Sequence, residues 1–156
     1  MENFPAVVLG TPDSSANTIL IVTQSWNGVI NDHPVGVLYD TNLHRWQVWN
    51  QDLQNIPTNT AFNVWIADPK QGAYIHKTIA ANVGYNSTYL DNMNLNNEPL
   101  AQIFVTPNGT PNGTAGSLHA HPIGVWYDTN AKKWAIFNQD LVNMATGVSF
   151  NVMFRP

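Results

Sequence analysis

Short runs of β-branched and aromatic residues, broken by Asp, Asn, Gly and Pro, recur along the whole chain. Such runs, bounded by turn residues, predict strands near 5–9, 18–25, 35–40, 45–50 and 61–66, and again near 73–79, 101–106, 123–128, 133–138 and 149–154. Successive strand residues point to opposite faces. From 45 to 50 this puts Trp46, Val48 and Asn50 on one face, expected to point inward, and Arg45, Gln47 and Trp49 on the other. Lys133, Ala135 and Phe137 form the matching second face, mixed and partly aromatic, suited to an inter-module or partner surface. Tyr39-Asp40-Thr41-Asn42 and Tyr127-Asp128-Thr129-Asn130 join two strand runs each and read as hairpins, because Asp and Asn cap their own turns. No amphipathic helix of ten residues is visible, and one helical turn is expected at Asp52 to Asn55 and at Asp140 to Asn143.

The pattern repeats. His33 to Asn42 returns as His121 to Asn130 at an offset of 88, and the match continues without a gap through Trp46/Trp134, Asn50/Asn138, Gln51/Gln139, Asp52/Asp140 and Phe62-Asn63-Val64/Phe150-Asn151-Val152. Between 33–66 and 121–154, 18 of 34 aligned residues are identical, against roughly 5 to 7% for unrelated sequences of ordinary composition. Upstream, Ile21-Val22-Thr23 aligns with Phe104-Val105-Thr106 at an offset of 83, so the second copy carries five extra residues in its Pro107 to Thr114 loop. The second copy also has a front segment, Tyr74 to Asn92, which the first lacks or replaces with the short Phe4 to Leu9. The expected fold is all-β: two homologous antiparallel modules, 1–67 with a shortened front and 73–156, sandwich or barrel-like, packed with pseudo-twofold symmetry into one compact unit. A module of this size buries a marginal core alone, which is a physical reason for pairing.

The composite of His-Pro-(Ile/Val)-Gly-Val-x-Tyr-Asp, Trp-x-(Ile/Val)-(Phe/Trp)-Asn-Gln-Asp and Phe-Asn-Val resembles a repeat module of unknown function from bacterial secreted and surface-associated proteins. Asn86 to Asn92 and Ile21 to Asn27 are similar to the earlier part of that module. The resemblance implies a compact β module and an extracellular or cell-surface setting, and implies no chemistry. The second copy departs from the pattern at Pro107-Asn108, where an aromatic is expected, so two sites built on that position would not be equivalent.

Composition narrows the partners. Charged residues make up 10% of the chain, against roughly 25% in soluble domains, so Asn, Gln, Thr and Ser carry the polar surface. The formal net charge is -4 and the only adjacent basic pair is Lys132-Lys133, which disfavours nucleic acid and anionic membranes. Cysteine is absent, which removes disulfides and thiol chemistry. Met1 to Pro5 shows no basic segment leading into a long apolar run, so no signal peptide is read, and no stretch is apolar enough to insert into a membrane.

The candidate ligand-binding residues are Trp46, Asn50, Gln51 and Asp52, with Trp134, Asn138, Gln139 and Asp140 in the second copy. An indole beside amides and a carboxylate suits a neutral polyhydroxylated ligand: the ring takes an apolar sugar face and the amides supply paired donors and acceptors. The same residues fit a second account, in which both Trp are core and Asn-Gln-Asp bonds the following loop. His119-x-His121 raises a metal, but His119 has no histidine counterpart and no carboxylate-dense loop suits calcium, so neither metal nor cofactor is expected. No catalytic motif is present; Asp40 with Asp52 is the only carboxylate pair that repeats. Three functions stay open: a lectin-like bivalent carbohydrate-binding module, a structural or protein-interaction module that forms a homo-oligomer, and a small-molecule enzyme with a pocket between the copies lined by His76, His119 or Glu98.

Overall fold

Both Tyr-Asp-Thr-Asn segments turn the chain back on itself through one side chain. Asp40 Oδ1 accepts from the N–H groups of Asn42 (2.8 Å) and Leu43 (3.0 Å), and Asp128 Oδ1 accepts from those of Asn130 (2.8 Å) and Ala131 (3.0 Å). The computed structural model describes residues 6–10 and 15–155, and within them the chain is all-β. Twelve strands follow in order: β1 (Val7–Val8), β2 (Ile19–Ser25), β3 (Val35–Asp40), β4 (Arg45–Asn50), β5 (Ala61–Ala67), β6 (Ala73–Lys77), β7 (Val83–Gly84), β8 (Ser87–Leu90), β9 (Gln102–Pro107), β10 (Ile123–Asp128), β11 (Lys133–Asn138) and β12 (Ser149–Arg155). The strand expected at 5–9 is cut to β1, and Phe4 and Pro5 lie outside the described residues. The front segment Tyr74 to Asn92 supplies β6 and, unforeseen as separate strands, β7 and β8.

The helical turns expected after β4 and β11 do not form. Leu53 N–H donates to Asn50 O (3.0 Å) and Leu141 N–H to Asn138 O (3.2 Å), and both leucines sit at φ 64. A left-handed residue at that point ends a tight turn and cannot propagate a right-handed helix.

The strands form four antiparallel sheets, β1-β4-β3, β2-β5, β6-β12-β9 and β10-β11-β8-β7, and none closes into a barrel. Residues 88 apart keep the same partners: Tyr39 lies opposite Trp46 as Tyr127 lies opposite Trp134, and Val35 opposite Asn50 as Ile123 opposite Asn138. β1 pairs with β4 where β8 pairs with β11, Val7 opposite Val48 and Thr88 opposite Ile136. Alternation then stacks the sheets. Leu20 from β2 joins Val37, Tyr39 and Trp46 in one core, while Leu90, Ile136, Phe150, Val152 and Phe154 form another. Ile19 and Ile21, on the opposite face of β2, meet Met153, Ala73 and Ile75, so the two inner sheets pack face to face. β12 is therefore buried on both faces, which is why Phe150 to Phe154 reads as a nearly unbroken apolar run.

Polar bonds cross the same junction. Asn151 Nδ2 donates to Leu20 O (3.0 Å) and Val22 N–H donates to Thr106 Oγ1 (2.9 Å), while Asn108 Nδ2, on the same side of the junction as Asn151, donates to Asn151 Oδ1 (2.8 Å) and orients it. The five-residue insertion in the second half lays itself along the outer edge of β3: Gly109 N–H donates to Val37 O (2.9 Å) and Tyr39 N–H to Thr110 Oγ1. Asn108, where the sequence pattern expects an aromatic, is thus a buried junction residue.

The repeated glycine of His-Pro-x-Gly is required by close approach. A Cβ on Gly36 would lie 2.3 Å from Gln51 Nε2 and 2.7 Å from the Pro107 carbonyl oxygen; on Gly124 it would meet the tip of the Phe137 ring at 2.5 Å. Backbone at the junction cannot swing away, whereas the Phe137 ring has an open side. Gly36→Ala is expected to destabilise by about 2–3 kcal/mol and Gly124→Ala by about 1 kcal/mol or less. Paired urea titrations check this, and the opposite ranking would show that Pro107 yields more readily than Phe137.

Candidate functional site

The residues singled out by the sequence are largely engaged by the protein itself, each set within its own turn and core. Trp46 is fully buried, edge-on to Tyr39 at 5.4 Å, with its Nε1–H donated to Ser15 O (3.0 Å). Trp134 is half-buried against the second core, edge-on to Tyr127 at 5.6 Å, and donates to Glu98 O (2.8 Å). Trp46, being fully buried, offers no stacking face. Asn50 and Asn31 are buried and exchange side-chain bonds of 2.7 and 3.0 Å. Asn138 is buried likewise, accepting from His119 Nε2 (2.8 Å) and donating to Val142 O (2.9 Å). His119 therefore stands where the first half has Asn31 and does the same work, and the sequence missed the correspondence because the residue types differ. Burial holds His119 below the usual histidine range, with the bond to Asn138 opposing.

Gln51 and Gln139 share a backbone role, their N–H groups donating to Pro34 O (2.7 Å) and Pro122 O (2.8 Å). Their side chains diverge. Gln51 is buried and accepts at Oε1 from His119 N–H (3.0 Å) across the two halves, while Gln139 is exposed and donates to Ile123 O (3.0 Å). Asp52 and Asp140 each receive a 2.6 Å bond from the ring Nδ1 of His33 and His121, tying the turn to the strand that precedes it in the sheet. The His121 bond, ahead of a smaller desolvation effect, holds Asp140 below the ordinary carboxylate range. For Asp52 burial alone would raise the pKa, but the Gln54 N–H and His33 bonds together outweigh it and lower it. Of the eight residues, only Asp52, Gln139 and Asp140 keep polar atoms near solvent without a closed set of internal partners or full burial.

An open aromatic surface lies elsewhere, on the outer face of β10-β11-β8. Trp126, Ala135 and Tyr89 are direct cross-strand partners in one row; Gly124, Phe137 and Ser87 form the next row on the same face. Large and small residues thus alternate in both directions, leaving a saddle between rings. Trp126 is 38% exposed and its ring centroid lies 6.3 Å from that of Tyr89. Asn86, Ser87, Trp126 and Phe137 line a shallow depression of about 390 Å³. At its side, Tyr89 O–H donates to Asp128 Oδ2 (3.0 Å), and the backbone N–H groups of Ala131 and Asn130, with Tyr89, hold Asp128 ionised well below the usual range against a partial desolvation effect. Burial and the neighbouring Asp128 push the Tyr89 phenol up, keeping it a neutral donor. The first half has Val8, Gln47 and Leu38 in the corresponding row, and Gln47 is occupied with Asp40 and the Trp49 indole. Strand alternation had already put Phe137 on this face; Trp126 was legible by the same rule, but Tyr89 was not, since nothing local says that β8 lands beside β11.

His119 and His121 approach edge-on at 5.2 Å, yet among the described residues no three His, Asp or Glu side chains stand together in a way that would hold a metal ion. His76 and His119 are enclosed by protein, while Glu98 lines an open depression with Gln71, Gly72, Met93, Asn94 and Phe154. No helix among the described residues is long and apolar enough to cross a membrane.

Within the described residues the fold is all-β, built of several packed antiparallel sheets with no closed barrel. The chain belongs to the family described as a domain of unknown function, DUF7452, whose model matches residues 36–154, from β3 through β12. Searches of curated proteins and of solved structures return no match to it.

Proposed function

We propose that the chain is two copies of one β-sandwich module, 1–67 and 73–156, and that the second copy binds neutral carbohydrate on the Tyr89–Trp126–Phe137 saddle. The observation that supports this reading is the pair of cross-strand rows in which the exposed Trp126 and the half-buried Tyr89 and Phe137 rings alternate with small residues. A pyranose presents an apolar C–H face about the size of an indole and a rim of hydroxyls; Trp126 and Phe137 suit the face, and Asp128, Asn86 and Gln139 suit the rim. The low charge of the chain fits an uncharged ligand. With Val8, Leu38 and Gln47 in the corresponding row of the first copy, one site per chain replaces the bivalent arrangement drawn from sequence.

On a broad array of immobilised glycans, the wild-type chain is expected to bind a consistent set of neutral structures. Trp126→Ala should weaken that binding at least about tenfold, the loss of roughly 1.4 kcal/mol of stacking. Array signals that are blank, or equal for the two proteins, would sink the assignment. The secreted or surface setting implied by the sequence resemblance agrees with a glycan ligand.

A further inference from the structure

The two inner sheets differ by one strand. β12 is flanked on both sides, by β9 and by β6, whereas among the described residues β5 pairs with β2 alone. β5 and β12 are otherwise matched position by position: Val22 lies opposite Val64 as Val105 lies opposite Val152, Thr23 opposite Asn63 as Thr106 opposite Asn151, and Ile21 opposite Trp65 as Phe104 opposite Met153. Among the described residues of the first half, none stands in the place of β6.

The side chains record the difference. In the second half Tyr74 of β6 lies edge-on to Phe154 at 6.3 Å, and Ile75 packs on the cluster that holds Ile21 and Met153, leaving all three buried. Their counterparts through the repeat are Ile66, Trp65 and Phe104, and these are 42%, 37% and 37% exposed. Trp65 and Phe104 meet edge-on at 6.0 Å with the Arg155 guanidinium 5.1 Å from the indole centroid, so the uncovered surface is one continuous patch across β5 and β9. The strand itself, Ala-Phe-Asn-Val-Trp-Ile-Ala, has no charge and no proline. Edge strands that are meant to stay unpaired carry such protection, because a bare row of N–H and C=O groups recruits another strand.

We infer that the free edge of β5 is a docking site for one extended peptide strand from another polypeptide, bound antiparallel with the small–aromatic–aliphatic pattern of β6. In the register that β6 takes on β12, its small residue would lie opposite Trp65, its aromatic opposite Val64 and against Ile66, and its aliphatic opposite Asn63, over Phe104. Main-chain bonds to β5 supply affinity and the two apolar contacts supply selectivity, the usual division in strand addition. The inference rests on the two-copy reading and is independent of the carbohydrate site.

The test uses the whole chain and a fluorescein-labelled peptide of sequence Gly-Ala-Tyr-Ile-His-Lys-Thr, that of residues 72–78. Fluorescence anisotropy is expected to show saturable binding. Replacing the peptide's Tyr and Ile by Ser, or N-methylating alternate amides, should each weaken it at least about tenfold, as should Ile66→Lys in the protein, whose thermal unfolding is measured alongside. Glycan retention by Ile66→Lys should match that of wild type, which separates this site from the saddle. The inference is overturned if no saturable binding occurs at millimolar peptide, or if the N-methylated peptide binds equally well. It is also overturned if the protein alone has a dimer mass that Ile66→Lys reduces to a monomer, since β5 would then be covered by β5 of a second copy.

Discussion

Trp46→Ala is expected to destabilise the chain by about 3–5 kcal/mol, enough to unfold a domain of ordinary stability under mild denaturant. The indole is fully enclosed with Leu20, Val37 and Tyr39 in a small core, so truncation leaves a cavity that few neighbours can fill, and it removes the Nε1 bond to Ser15 O, which keeps only its other partners such as the Thr18 N–H. Trp126→Ala removes a residue of the same type from an open sheet face and should cost about 1 kcal/mol or less in stability while removing glycan retention. Equilibrium urea unfolding and array binding on the two variants check both halves of this contrast. A stable Trp46→Ala protein that no longer binds glycan would return the site to the residues first suggested by the sequence repeat.

Acidification supplies the second large effect. His76 is buried on β6, its Nε2 2.8 Å from Thr88 Oγ1. Thr88 gives its own proton to Asn82 Oδ1 (3.2 Å), so it accepts from His76 Nε2–H, and the ring is held as that neutral tautomer. Burial pushes the His76 pKa down to about 4, against roughly 6.5 in an unfolded chain. Between those values the unfolded chain binds more protons than the folded one, so stability is full above pH 6.5 and falls as the pH drops toward 4. The loss reaches about 3 kcal/mol. His119, also lowered by burial, adds to it in the same direction. The lowered carboxylates Asp52, Asp128 and Asp140 act in a separate window, since their contribution is lost only as the pH falls below about 3.8. Urea midpoints measured from pH 7 to 4.5 should decline for wild type and much less for His76→Gln, which keeps a donor toward Thr88. Equal slopes for the two proteins would remove His76 as the source.

The strand positions other than β7 and β8, both hairpins and the inward face of Trp46, Val48 and Asn50 were legible in the sequence, because each depends on local physics: alternation, β-branched and aromatic enrichment, and Asp caps on turns. The all-β class and the low-charge surface follow from the same sequence. Tertiary structure alone decided what those elements touch. Whether Asn138 faces a ligand or a partner depended on His119, nineteen residues earlier and unlike its counterpart Asn31. The aromatic saddle needed β8 to pair with β11 across more than forty residues, and the uncovered patch on β5 needed β6 to cross to the other inner sheet. Alternation along a strand says which side chains share a face; it carries no information about which strand lies alongside, or whether anything covers that face, because those depend on pairings between residues distant in the chain.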